Sequence, residues 1–201
     1  MRIIAGHYKN LMLNAPKGSK TRPTSSQLRE TVFNICQNTI EDSVFLDLFA
    51  GSGAMGLEAV SRGAKESFFI ENDSFAIKCI KENIMKLKVE DQSKLMPGDV
   101  FQNLKRLSKK QQQFNLIFAD PPYDACVGDH SFGLHTLIII DQLNLLSDGG
   151  MLFIEDAKGN IEEGLPLTVL KLVNSRNSGR TTLFQYTKKL KDQKDEKDTK
   201  G

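Results

Sequence analysis

The sequence predicts an α/β fold, a mostly parallel sheet with helices on both faces. Three observations predict it. From Ser43 onward, apolar runs of strand length alternate with amphipathic runs of helix length. A glycine turn, Gly51-Ser52-Gly53-Ala54-Met55-Gly56, joins the first such strand to its helix. Acids fall at or near the ends of the apolar runs: Asp47, Glu71 and Asp120. That edge is where open α/β sheets take their ligands.

The elements follow in order. "VFLDLF" is strand one, and "AGSGAMGLEAVSRGA" is the glycine turn entering a helix. "ESFFIEND" is strand two, ending in acids. "SFAIKCIKENIMKLK" is a helix whose apolar face is expected from Phe75, Ile77, Ile80, Ile84 and Leu87. "SKLMPGDV" is a shorter strand, "FQNLKRLSKK" a short helix and "FNLIFAD" strand four. "SFGLHTLIIIDQLNLL" is a helix expected to stop before "SDGG", at Gly149 and Gly150. "MLFIEDA" is strand five, and "LTVLKLVNSRNSGRTTLFQYTKKL" gives a final pair of strands. Ahead of all this, residues 1–15 read as a short hairpin or arm and "PKGSKTRPTSS" as a breaker-rich loop. "TSSQLRETVFNICQN" is a helix capped by Thr24 or Ser25, with Leu28, Val32, Phe33 and Ile35 near one face. The expected division is an extension over 1–42, a main domain over 43–190 and a mixed-charge, disordered tail over 191–201.

Composition narrows the class. At 201 residues, 39% hydrophobic and 26% charged, the chain has room for one soluble domain plus a modest extension. No apolar run approaches the ~20 residues of a membrane span. "MRIIAGHYKN" lacks the apolar core of a signal peptide, so a cytoplasmic protein is expected. Cys36, Cys79 and Cys126 are odd in number and far apart, and His7, His130 and His135 have no ligand spacing; neither a disulfide framework nor a metal site is predicted. The net charge is only +2, but residues 1–30 carry Arg2, Lys9, Lys17, Lys20, Arg22 and Arg29 against Glu30 alone. Such an arm can attract phosphates, although a solvated face has the same composition.

Two motifs carry chemistry. The glycine turn matches GxGxxG between a strand and a helix, and Glu71 ends the next strand, where an acid accepts ribose hydroxyls. The ligand is therefore expected to contain a nucleoside. Asp47, four residues before Gly51, suits a cationic ligand better than the pyrophosphate of NAD. S-adenosylmethionine has no phosphate and carries an ammonium and a sulfonium. The string "DLFAGSGAMGLEA" resembles motif I of the class I methyltransferases, which places Asp47, Phe49, Gly51, Ser52 and Gly53 at the cofactor. Asp99, in "PGDV", falls at the family position beside the adenine, although a turn aspartate reads the same way.

The second motif is Asp120-Pro121-Pro122-Tyr123, closing strand four. The prolines fix φ, lack N–H groups and hold their predecessors extended. The product is a rigid edge of acceptors, the Asp120 carboxylate and the Pro121 carbonyl, beside an aromatic face. Two acceptors on the N–H bonds of an exocyclic amine localise its lone pair, and a stacked ring aims it. The fragment resembles the (D/N)PP(Y/F/W) motif of amino-methylating enzymes, with Asp rather than Asn tilting the amine toward a nucleobase.

The order "MRIIAG", "RPTSSQLRETVFNI", "DLFAGSGAMGLEAVSRGA", "FIEND", "IFADPPY", "GG.LFIE" and "GRTTLFQY" resembles the bacterial small-subunit rRNA guanine-N2 methyltransferase family, over roughly residues 1–187. The resemblance implies a Rossmann-like class I sheet of seven strands with the last antiparallel, and S-adenosylmethionine as cofactor. It also implies a guanine of 16S rRNA in the small ribosomal subunit as target, with catalysis by Asp120, Pro121, Pro122 and Tyr123. The RNA would meet the extension at Lys9, Arg22, Thr24 and Arg29, and the enzyme would act as a monomer. Family members usually carry several arginines after Ile-Ile-Gly-Gly; here "AGHYKNLMLN" has Lys9 as its main charge. The rival readings are a DNA adenine-N6 methyltransferase, for which about 201 residues leave little room for target recognition, an inactive RNA-binding assembly factor, and an NAD enzyme.

Overall fold

The computed structural model describes residues 1–16 and 24–189. Arg22 and the charged tail over 191–201 lie outside the described residues.

Strands β1 (Val44–Leu48), β2 (Glu66–Glu71), β3 (Ser93–Pro97), β4 (Phe114–Ala119), β7 (Leu146–Ala157), β8 (Leu170–Ser178) and β9 (Thr181–Lys188) form one seven-stranded sheet in the order β3-β2-β1-β4-β7-β9-β8. Parallel pairing runs from β3 to β7; β9 is antiparallel to both of its neighbours. The last strand in the chain is thus the antiparallel one, as the resemblance implies. Helices α2 (Ala54–Ser61), α3 (Ser74–Leu87), α4 (Val100–Lys109) and α5 (Phe132–Leu143) link the strands, and α1 (Ser26–Ile35) precedes β1.

The central strands are apolar on both faces because both are covered. Along β4, Leu116 and Phe118 pack with Val32 and Phe33 of α1 and Met55 of α2. Ile117 and Ala119 face the other way, against Leu104 and Leu107 of α4 and Leu137 and Ile140 of α5. Ser25 caps α1 by accepting the Leu28 N–H at 3.1 Å.

The first residues form the expected hairpin. Ile3 and Leu11 share a backbone bond of 3.0 Å, and Leu13 N–H reaches Met1 O at 2.8 Å. The hairpin packs on α2 and α3 instead of standing apart. Ile3 and Leu13 are buried with Leu57, Val60, Ile80 and Ile84, burial that contributes about 1.5–3 kcal/mol for each such side chain. Glu58, fully buried on α2, accepts the N–H groups of Ile4 (2.8 Å) and Ala5 (3.0 Å) and pairs with Arg62 at 2.8 Å. These partners offset the cost of burying its charge. Gly6 then passes so close to α2 that a Cβ would stand 1.8 Å from Ser61 O, and its φ of +81° also demands glycine.

Three expectations are corrected. Phe75 does not join the face of α3: it is 61% exposed, and Ala76, Cys79 and Asn83 take the buried positions beside Ile80 and Ile84. "SDGG" does not stop α5. Asn144, in the left-handed region at φ 50°, ends that helix, and residues 147–150 lie inside β7. There they form a bulge between the Phe114↔Leu146 and Leu116↔Met151 pairs. A small hairpin, β5 (Cys126–Val127) with β6 (His130–Ser131), fills the segment after Tyr123, where no element was expected.

Candidate active site

The carboxyl ends of the parallel strands collect the acids. Asp47 lies in β1, Glu71 ends β2, Asp99 follows β3, Asp120 follows β4 and Glu155 lies near the end of β7. Register makes them neighbours. Leu48 pairs with Ile70 and with Ala119, and Ala119 pairs with Ile154. The next residues along, Phe49, Glu71, Asp120 and Glu155, therefore stand in a row.

The glycine turn is held from below by two acids. Asp47, 2% exposed, accepts the Gly56 N–H at Oδ2, 2.9 Å, at the start of α2. Burial pushes its carboxyl well above the usual range; the Gly56 N–H pulls it back, and Glu71 and Asp120 raise it further. Glu71 accepts Gly51 N–H at 2.7 Å, Asn72 N–H at 2.8 Å and Asp73 N–H at 2.9 Å. Gly51 has φ +56°, and a Cβ there would point into open space, with no atom nearer than Phe49 O at 4.0 Å. The turn thus leaves room above itself for a ligand. Ser52 is buried; its hydroxyl meets Met1 Sδ at 3.3 Å and its carbonyl accepts from Asn83 at 3.0 Å. Gly53 caps α2 in the left-handed region.

Beside the turn stands an aromatic group. Phe49, half-buried with φ +57°, lies 6.4 Å from Phe101 and 6.1 Å from Phe132, ring to ring. Asp99 is exposed and caps α4, accepting the Gln102 N–H at 2.8 Å. One of its oxygens is thus used in the cap.

Asp120 is the centre of the second motif. Thr24 Oγ1 donates to its Oδ2 at 3.0 Å, and the Tyr123 hydroxyl to its Oδ1 at 3.3 Å. The Tyr123 hydroxyl also reaches Glu155 Oε2 at 3.1 Å. Burial, then the Glu155 carboxylate, push the Asp120 carboxyl up to about 7, against the pull of Thr24 and Tyr123. Pro121 is buried and Pro122 exposed. Among the described residues Pro122 O accepts the Ala125 N–H at 3.1 Å, while Pro121 O takes no donor. Pro121 O, with no donor of its own among the described residues, stands next to the Asp120 carboxylate at this edge.

The RNA-facing expectations fare unevenly. Lys9 is exposed on the hairpin. Thr24 sits against Asp120 in the site itself. Arg29 is a correction: it is 2% exposed, donates both terminal nitrogens to Arg2 O at 3.1 Å and lies 3.6 Å from Glu58. A guanidinium so enclosed cannot meet a phosphate; it ties α1 to the N-terminal hairpin. Sequence reasoning passed over Glu155 as a site residue, although it ends the quoted "GG.LFIE" string. Thr181, of "GRTTLFQY", donates to its Oε1 at 2.7 Å.

A seven-stranded sheet with this order and one antiparallel strand, carrying a glycine turn and an acidic row on its carboxyl edge, defines a class I methyltransferase, the class whose methyl donor is S-adenosylmethionine. Asp47 and Glu71 brace the glycine turn from below, and the open space above Gly51 admits a ligand. The chain belongs to the family described as "Conserved hypothetical protein 95", which matches residues 1–187. YlbH of Bacillus subtilis is 34% identical over 192 residues, 94% of this chain and 100% of that one. Ribosomal RNA small subunit methyltransferase D of Escherichia coli is 31% identical over 166 residues, 83% of this chain and 78% of that one. Among solved structures, yhhF of Escherichia coli aligns with a TM-score of 0.76 at 29% identity, covering 94% of this chain and 97% of its own. SMU.776, solved with SAH, shares the fold at a TM-score of 0.64 and 17% identity, over 80% of this chain and 48% of its own.

Proposed function

We propose that the protein transfers a methyl group from S-adenosylmethionine to the exocyclic N2 of a guanine in 16S rRNA of the small ribosomal subunit. The observation that carries the reading is the acceptor pair of Asp120 and Pro121 O beside the glycine turn, in a chain related to small-subunit rRNA methyltransferases. When bound, the cofactor supplies an electrophilic methyl on sulfur. Asp47 and Glu71 hold its end of the cleft, with Phe49, Gly51, Ser52 and Gly53 forming the turn. Asp99 has an oxygen left for the adenine side.

Asp120 and Pro121 O accept the two N2–H bonds and turn the lone pair toward the methyl carbon. A bound S-adenosylmethionine would supply the methyl to that lone pair and keep the C–S bonding electrons on sulfur. The methylated amine then gives up a proton, which Asp120 takes. A carboxyl raised toward neutrality by burial and Glu155 is suited to that transfer. Pro122 stiffens the edge, and Tyr123 offers a ring to a base that has left its stack.

The extension over 1–42 is the part that meets RNA, through exposed Lys9 and through Arg22, with Thr24 joining it to the site. Exposed Lys105, Arg106 and Lys109 on α4, with Lys110 at its C-cap, offer a second basic surface. That helix runs from the cleft back to the far edge of the sheet, so Lys109 and Lys110 stand away from the target base. The protein works as a cytoplasmic monomer. The test is methyl transfer from labelled cofactor to small subunits from a strain lacking this gene, followed by mapping of the base. Label on N2 of one 16S guanine is expected; label on adenine, or on none of the rRNA, would overturn the reading.

A further inference from the structure

Glu155 is a carboxylate that the fold keeps beside another carboxylate. The Ala119↔Ile154 pairing puts Asp120 and Glu155 side by side. One phenol hydroxyl, that of Tyr123, touches both, at 3.3 Å and 3.1 Å. Thr181 fixes the remaining oxygen of Glu155 at 2.7 Å. Among the described residues no lysine or arginine pairs with Glu155. It is half-buried, so part of it stays accessible. Two like charges set together without a cation cost stability. Burial first, and the Glu155 carboxylate second, raise the Asp120 carboxyl. Holding α5 or β9 in place would need no second acid here.

The substrate edge supplies a use for it. Guanine presents two kinds of donor next to each other, the N2 amine and the ring N1–H. Adenine presents an amine next to a bare N1 lone pair. Resting on the function proposed above, we propose that Glu155 accepts the guanine N1–H while Asp120 and Pro121 O hold N2, making Glu155 a specificity-determining residue. Against adenine the same carboxylate would face a lone pair, so the pair of acids both selects guanine and rejects adenine. Thr181, donating to Glu155, and the Tyr123 hydroxyl, whose one proton lies between Glu155 and Asp120, hold it in the orientation this requires. The generic amine motif is thereby narrowed to one base by a residue outside the motif.

The test uses small subunits reconstituted with rRNA that carries either guanine or 2-aminopurine at the modified position. 2-Aminopurine keeps the exocyclic amine but has an acceptor at N1. Wild-type protein should prefer guanine by ~10²-fold or more in kcat/KM, since a site built for an N–H rejects the analogue lacking it. In Glu155→Gln the amide can donate to that acceptor, and the preference should narrow by at least ~10-fold. Affinity for S-adenosylmethionine and the melting temperature serve as folding controls. Equal wild-type rates on both bases would overturn the proposal without need of any variant. So would a Glu155→Gln variant that loses the same factor on both. If the wild type methylates no guanine at all, it is the proposed function that fails, a result distinct from either of these.

Discussion

Thr24→Val removes a hydroxyl from the extension and should change how the site responds to pH. Thr24 donates to Asp120 Oδ2 at 3.0 Å, and that bond favours the ionised carboxylate. A hydrogen bond to a charged group is worth about 1.5–3 kcal/mol, and one pKa unit corresponds to about 1.4 kcal/mol. Asp120 is half-buried and water can replace part of the lost bond, so a rise of about one unit is expected. Starting from about 7, half of the carboxyl is ionised at pH 7. After a rise of one unit only about a tenth is, so kcat/KM at pH 7 should fall roughly fivefold and recover near pH 9. The sign for stability runs the other way. A carboxyl raised from 3.8 to about 7 by folding makes the fold less stable as pH climbs across that interval. The assay is kcat/KM against pH from 5.5 to about 9.5, with cofactor affinity measured alongside. An unshifted profile, or a loss equal at pH 6 and pH 9, would refute the coupling of Thr24 to Asp120.

Asp120→Ala removes an acceptor needed mainly in the transition state; turnover should fall by ~10²-fold or more with cofactor affinity nearly unchanged, as single-turnover assays and calorimetry will show. Glu71→Ala should weaken S-adenosylmethionine by about 1.5–3 kcal/mol, and an unchanged dissociation constant would place the ribose elsewhere. Because Glu71 also holds Gly51 N–H, part of that loss is the turn relaxing. Arg29→Met leaves Arg2 O without its donors and should lower stability by roughly 3 kcal/mol in urea melts, the scale of a broken buried pair. Stability within about 0.5 kcal/mol of wild type would show that the guanidinium is dispensable to packing.

The sheet was legible because period and punctuation agree. Strands β1, β2 and β4 are short apolar runs, and each is followed by a segment with helical spacing. The glycine turn and Asp120-Pro121-Pro122-Tyr123 were legible because their residue types leave the backbone few conformations. What hid was whatever depends on distant contacts. Arg29 looked like a surface cation because its partners, Arg2 O and Glu58, are 27 and 29 positions away in sequence. Phe75 looked like core because helical spacing cannot say which of two flanking faces meets the sheet. Glu155 was quoted in a resemblance yet assigned no chemistry, since only the pairing of β4 with β7 brings it to Asp120. The bulge at residues 147–150 read as a helix stop because glycines serve both uses.

The docking of the hairpin on α2 also orders events in time. Ile4 and Ala5 bond to Glu58, and Asn14 to Asn83, over separations of 53 to 69 residues. Thr24 finds Asp120 across 96. The hairpin residues therefore wait for partners much later in the chain before they lock, and contacts so distant in sequence slow that step. Pulse-labelled hydrogen exchange during refolding should show the Ile4 and Ala5 amides gaining protection after those of β1; protection in the reverse order would contradict this sequence.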